Sequence, residues 1–266
     1  MKRTISLFLI LSLICLLAAC GTSQTASSAE EVYYADEDFI SDLAKGLEAR
    51  WEIQEPEDSF EYYTEEHREL YTKYVDAELQ YIEKYRDEKF EDKKLQEKAI
   101  SYINACDDQK AAMKYVTVDQ EKSDNMWVEA YDTRTKLIEE FVNKYGLTVK
   151  EKYQSTLDDL LTNAETVRGN EEVEKKVDAL CKSIVFEKTE DNEYWDTYTA
   201  IVENNTGMDF AEYSVDLNLI DADGVIVDTA YASVSNFKNG QKAKFEFDTE
   251  EEFINTEITC SYYEVR

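Results

Sequence analysis

The sequence predicts an α+β protein, with a helical domain over residues 36–183 followed by a β-sandwich domain over residues 184–266. Three observations predict it. From Phe39 to Cys181 apolar residues recur at intervals of three and four, the spacing of amphipathic helices. Near Ile184 the period changes to two, with tight-turn residues between short apolar runs. Only seven glycines and one proline occur in 266 residues, so elements are long and breaks are few. Hydrophobic residues make up 43%, enough to build cores despite the charge.

The chain opens on Met1-Lys2-Arg3 and an apolar run from Ile5 to Leu17. That order is the pattern of a secretory signal, and the run falls short of the ~20 residues of a comfortable transmembrane helix. Leu17-Ala18-Ala19-Cys20, followed by Gly21, resembles the lipobox of bacterial lipoproteins. The resemblance implies a signal peptide over 1–19, cleavage between Ala19 and Cys20, and acylation of the Cys20 thiol. It places the protein at the extracytoplasmic face of the cell membrane, with membrane lipid as a partner through Cys20. Residues 20–35 then form a small, polar tether rich in Ser and Thr.

A first helix is expected from about Asp36, carrying Phe39, Leu43, Leu47 and Trp51, and closing near Pro56. A second is expected from about Ser59 to Tyr85, and a third from about Asp92 through Leu95, Ala99, Tyr102 and Cys106. The fourth carries Trp127, Tyr131, Ile138, Phe141 and Tyr145 and stops at Gly146. Thr148 and Glu151 have capping-box spacing and are expected to open a fifth helix. Gly169-Asn170 is expected to break it, leaving a last short helix at Val173, Val177 and Cys181. The shared spacing and short turns suit an antiparallel helical bundle.

In the second domain Tyr198, Ala200 and Val202 alternate with Thr199, Ile201 and Glu203, and Tyr213, Val215, Leu217 and Leu219 repeat the pattern. Asp223-Gly224 has the signature of a type I′ hairpin, and Asn239-Gly240 marks a second tight turn. Ala243, Phe245 and Phe247 share one face, as Ile258, Cys260 and Tyr262 are expected to do. Val202 through Ala232 resembles the FxLYD domain, an immunoglobulin-like module of Gram-positive lipoproteins. The shared features are the Asn204-Asn205-Thr206 turn, a strand ending in Asp221-Ala222-Asp223-Gly224, and a later strand leading to an Asn-Gly turn. In the naming motif Leu219 and Asp221 match, while Leu217 and Ile220 stand for the Phe and the Tyr. The resemblance implies an immunoglobulin-like sandwich and no catalytic residues.

The net charge of −30 becomes −32 once Lys2 and Arg3 leave with the signal peptide. Such a surface repels nucleic acid and anionic headgroups, and favours an envelope protein or a cationic ligand as partner. Mutual repulsion also predicts that stability rises as pH falls from about 7 toward 5. His67, the sole histidine, falls at stripe spacing, and Tyr63 and Tyr71 occupy the places where a zinc helix needs a second histidine. Asp221 and Asp223 begin like a calcium loop, yet Val225 and Ala232 stand where later ligands belong. Asn204-Asn205-Thr206 matches a glycosylation acceptor and reads better as a turn. Cys106, Cys181 and Cys260 sit at apolar-periodic positions as buried thiols, permitting at most one disulfide. No catalytic residue, metal or cofactor is expected. The reading is a non-catalytic binding or accessory module at the cell envelope, with an envelope hydrolase using acidic residues as the alternative.

Overall fold

A computed structural model describes residues 33–54, 60–192 and 194–266. The expected lipobox with its cleavage between Ala19 and Cys20, most of the expected tether, and Pro56 lie outside the described residues. The described chain is mixed α+β. Its helices are α1 (Asp36–Gln54), α2 (Glu65–Ile82), α3 (Lys93–Ala112), α4 (Gln120–Tyr145) and α5 (Gln154–Lys182). Six strands follow: β1 (Glu187–Asp191), β2 (Asp196–Glu203), β3 (Phe210–Ile220), β4 (Ile226–Phe237), β5 (Lys242–Thr249) and β6 (Asn255–Val265).

Helix starts follow local chemistry. Thr64, Asp92 and Asp119 each accept a backbone N–H from the first turn of α2, α3 and α4, a cap worth about 1 kcal/mol. α2 begins later than its apolar stripe suggests, because Tyr63 takes a positive φ of 62° and Thr64 an extended conformation. The expected capping box at Thr148 and Glu151 does not form. Residues Glu151–Tyr153 make a 3₁₀ turn, and Glu48 of α1 takes over the cap. Its carboxylate accepts from the Lys150 amide at 2.8 Å and from Lys150 Nζ at 2.6 Å.

Phe39, Leu43 and Leu47 of α1 meet Val75 and Ile82, Leu95 and Tyr102, Ile138 and Phe141, and Leu157 in one core. Phe39 makes edge-on ring contacts with Tyr85, Phe90 and Phe141 at 5.3–5.8 Å. α1 and α2 approach closely at Gly46, where a Cβ would lie 3.0 Å from the Glu78 carbonyl oxygen. A side chain there would push the two helices apart by a few tenths of an ångström, so glycine suits that crossing.

Gly169-Asn170 does not break α5, which runs unbroken for 29 residues. Its first half packs Leu157 and Leu160 into the helical core. Its last turns pack Val177, Leu180 and Cys181 into a second core with the strands. Since an added Cβ at Gly169 meets nothing within 4 Å, Gly169→Ala is expected to stabilise by about 0.5–1 kcal/mol. A thermal melt showing no rise, or a fall, would mean that the helix is strained there.

The strands form two antiparallel sheets, ordered β1-β2-β5 and β4-β3-β6. Ala200, Phe245 and Phe247 of the first and Phe210, Tyr213, Val215 and Leu217 of the second share that second core. Two local expectations are corrected. At Asp221–Gly224 positive φ falls on Gly224 alone, and the Gly224 amide donates to the Asp221 carbonyl oxygen at 3.2 Å. This is a type I turn with glycine at its last position rather than type I′. In β6 the register shifts between the Ser214 and Val215 pairings, which skips Ser261. The bulge turns Tyr262 outward and Tyr263 inward, so Tyr262 does not share the face of Ile258 and Cys260.

Candidate functional site

Ends of three helices meet at a groove of about 490 Å³. α1 enters with Asp36, Glu37 and Asp38 in its first turn, complementing the positive end of the helix dipole. Asp36 reaches across to the start of α3, accepting from the amides of Glu91 at 2.8 Å and Asp92 at 2.9 Å. Asp92 in turn caps α3 through the amides of Lys94 and Leu95. α4 ends there with its carbonyls, closed by Gly146 at φ 71°. Ile40, Ala44, Leu95 and Tyr145 supply an apolar floor, and Asp36, Glu37, Asp92 and Thr148 a polar rim. Burial and then the neighbouring Asp92 push the Tyr145 hydroxyl above its ordinary pKa, so it stays protonated at neutral pH.

The rim thus combines carboxylates, two of them already accepting amides at the start of α3, with the negative end of α4, over a floor that accepts hydrocarbon. It suits a cation carrying an apolar stem. No histidine or cysteine among the described residues lines the groove. Among the described residues no cluster of His, Cys, Asp and Glu could hold a metal ion.

His67 lies elsewhere, on α2, among Phe60, Tyr62, Tyr63 and Tyr71, with ring centroids 4.3–6.1 Å away. Its Nδ1 accepts the Tyr63 amide at 3.1 Å, which holds Tyr63 in its positive-φ conformation and places the imidazole proton on Nε2. The Tyr63 hydroxyl donates to Asp124 at 2.8 Å. Burial lowers the His67 pKa, and the charge of Asp124 only partly opposes it.

Buried His67 alters the expected response to mild acid, and the ion pairs act only at lower pH. Lys45, Lys84 and Tyr85 outweigh burial at Asp42 and bring its pKa to about 2. Lysine partners also hold Glu52, Glu140 and Glu171 low, whereas burial raises Asp107 and Asp132. A histidine kept neutral by folding contributes stability above its unfolded pKa of ~6.5, and loses it as pH falls toward the folded value. Asp42 does the same at lower pH, below ~4. Stability is therefore expected to fall, not rise, between about pH 7 and 5.5. Added salt is expected to weaken it further by screening exposed pairs. Melts of the protein and of His67→Gln at both pH values check this, since the variant loses most of the pH dependence if His67 carries it.

The remaining sequence candidates fall to structural roles. Asp221 accepts the amides of Asp223 and Val225, each at 2.9 Å, and so serves its own turn. Asn204 is fully buried. Its Nδ2 donates to the carbonyls of Met208 and Phe237 and its Oδ1 accepts from Thr206, which leaves no room for a glycan. Cys106 and Cys181 are buried and Cys260 half-buried, all as free thiols.

One cluster escaped the sequence reading. Glu78 is wholly buried between Arg50 and Arg134. It accepts from Arg50 Nη1 at 3.0 Å, from Arg134 Nη2 at 2.8 Å, and from the Tyr102 hydroxyl. Burial pushes the carboxyl up, but the two guanidiniums outweigh it and hold it below the usual range. Gln109 Oε1 accepts from Arg50 at 3.0 Å, while Gln109 Nε2 and Thr135 Oγ1 are buried without a hydrogen-bond partner. The signal lay in the fourth helix, whose stripe skips from Tyr131 to Ile138 with Arg134 at the missing position.

Comparison with protein-family models, with curated proteins and with solved structures gives no match.

Proposed function

We propose that the chain is a lipid-anchored extracytoplasmic module that binds a cationic ligand with an apolar body and performs no catalysis. The observation that carries this reading is the groove between α1, α3 and α4, with its carboxylate rim, helix C-terminus and apolar floor. The strong negative charge of the chain supports it by drawing cations toward the surface. The anchor rests on Leu17-Ala18-Ala19-Cys20, and the ligand partner is an envelope component or a cationic small molecule. The strand module supports an immunoglobulin-like sandwich of the FxLYD kind. Its orders β1-β2-β5 and β4-β3-β6 are compatible with the A-B-E and C′-C-F neighbours of that architecture. Domains are drawn at 36–183 and 184–266, with α5 contributing to the cores on both sides.

Two experiments test this. Cys20→Ala is expected to abolish acyl-chain labelling and release the protein from the membrane fraction, and equal labelling of the variant sinks the anchor. Calorimetric titration with an alkylammonium ion is expected to show binding that weakens with salt and falls about tenfold (~1.4 kcal/mol) in Ile40→Asn or Glu37→Gln. Equal binding of the matching alkyl carboxylate, or no binding of either, sinks the ligand class.

A further inference from the structure

Cys181 lies in the last turn of α5 and Cys260 on β6, and the backbones of these two elements approach within 8 Å. Cys181 Sγ lies 3.7 Å from the carbonyl oxygen of Ile258 and beside the amide of Cys260 itself. Cys260 Sγ, whose own contact is the Tyr262 carbonyl oxygen at 3.8 Å, sits beside the Tyr213 hydroxyl. That hydroxyl donates to the Val177 carbonyl at 3.0 Å and lies against both sulfurs. One tyrosine thus gathers two thiols from distant parts of the chain, at the place where the helix meets the sheets. Cys106 is remote from them, in the helical core.

We propose that Cys181 and Cys260 are a disulfide-forming pair that fastens α5 covalently to β6. This goes beyond the proposed ligand binding and does not depend on it. The oxidant is a small-molecule disulfide such as oxidised glutathione. The half-buried Cys260 loses its proton to solvent and attacks one sulfur of the oxidant, releasing one thiolate. Cys181, only 4% exposed, loses its proton and attacks the Cys260 sulfur of the mixed disulfide, releasing the second thiolate. One S–S bond breaks and one forms, with two electrons passing from the protein thiols to the oxidant. Burial raises the pKa of both thiols, so exchange is slow at neutral pH and accelerates in mild alkali. The bond closes a loop of about 80 residues, a length at which a cross-link strongly restricts the unfolded chain.

The full chain in detergent, with Cys15 and Cys20 replaced by Ser, is incubated with oxidised glutathione in mild alkali. It is expected to lose about 2 Da, to yield a non-reduced peptide joining Cys181 to Cys260, and to melt about 5 °C or more higher until reduced. Cys106→Ser in the same background should behave identically, whereas Cys181→Ser and Cys260→Ser should not gain the melting shift. Arrest as a stable glutathione adduct on Cys260, a linkage to Cys106, or three thiols still free after denaturing alkylation would each overturn the pair.

Discussion

Glu78→Gln is expected to unfold the helical half of the protein or lower its melting temperature by many degrees. Arg50 and Arg134 are 4% and 2% exposed, and both are satisfied by one carboxylate. Removing its charge strands two guanidiniums in the core, at a cost of about 3–5 kcal/mol. Domains commonly have ~5–15 kcal/mol in total, so this loss is a large share. The cost belongs to the stranded charges, which gives a second expectation. Replacing Arg50, Glu78 and Arg134 by Met, Leu and Met, together with Tyr102→Phe and Gln109→Leu so that neither buried partner is stranded, should recover most of the stability, because apolar side chains of similar volume need no partner. Chemical denaturation of the single and combined variants checks both. A Glu78→Gln variant as stable as the parent would mean that the arginines reach water.

A fragment beginning at Ile184 is expected to fail to fold, whereas one beginning near Asn170 should give a cooperative β-rich melt. The change of period near Ile184 marks the first strands well, but not the first residue the strand core needs. Val177, Leu180 and Cys181 are 3–5% exposed and belong to that core, and Val177 also accepts the Tyr213 hydroxyl. Burial of a Val or Leu contributes roughly 1.5–3 kcal/mol, so cutting at 184 removes about 3–6 kcal/mol and exposes Tyr213. Circular dichroism melts of the two fragments decide it, and equal stability would show that the α5 contact is dispensable.

What the sequence revealed of the fold depended on whether local chemistry or tertiary contact set each feature. α1, α3 and α4 announce themselves by stripe and cap, as at Asp92 and Gly146. β1 does not, since Glu187–Asp191 is exposed along its whole length and shows no alternation. Such a charged edge strand hides its pairing while it protects the sheet. Gly169 read as a break because its intrinsic cost is local, while the packing that carries α5 past it lies on either side. The capping box at Thr148 yielded to Glu48, roughly a hundred residues away. Neither candidate cluster was visible as a unit. The groove joins residues near 36–44, 92–95 and 145–148, and the Glu78 cluster joins four helices through polar residues set into apolar stripes.

The unbroken course of α5 has a geometric consequence. Between Ala164 and Val177 no side chain is fully buried. Arg168 and Glu171 pair with Glu139 and Lys136 of α4 and Val173 packs partly against the second core, while the helical spacing sets the distance and rotation from one core to the other. One residue inserted there would turn everything beyond it by about 100° and advance it by about 1.5 Å. Seven would restore the heading to within ~20° and lengthen the shaft by about 10 Å. The exposed middle of α5 is thus a ruler graduated in angle as well as length, one that would tolerate many substitutions but few insertions.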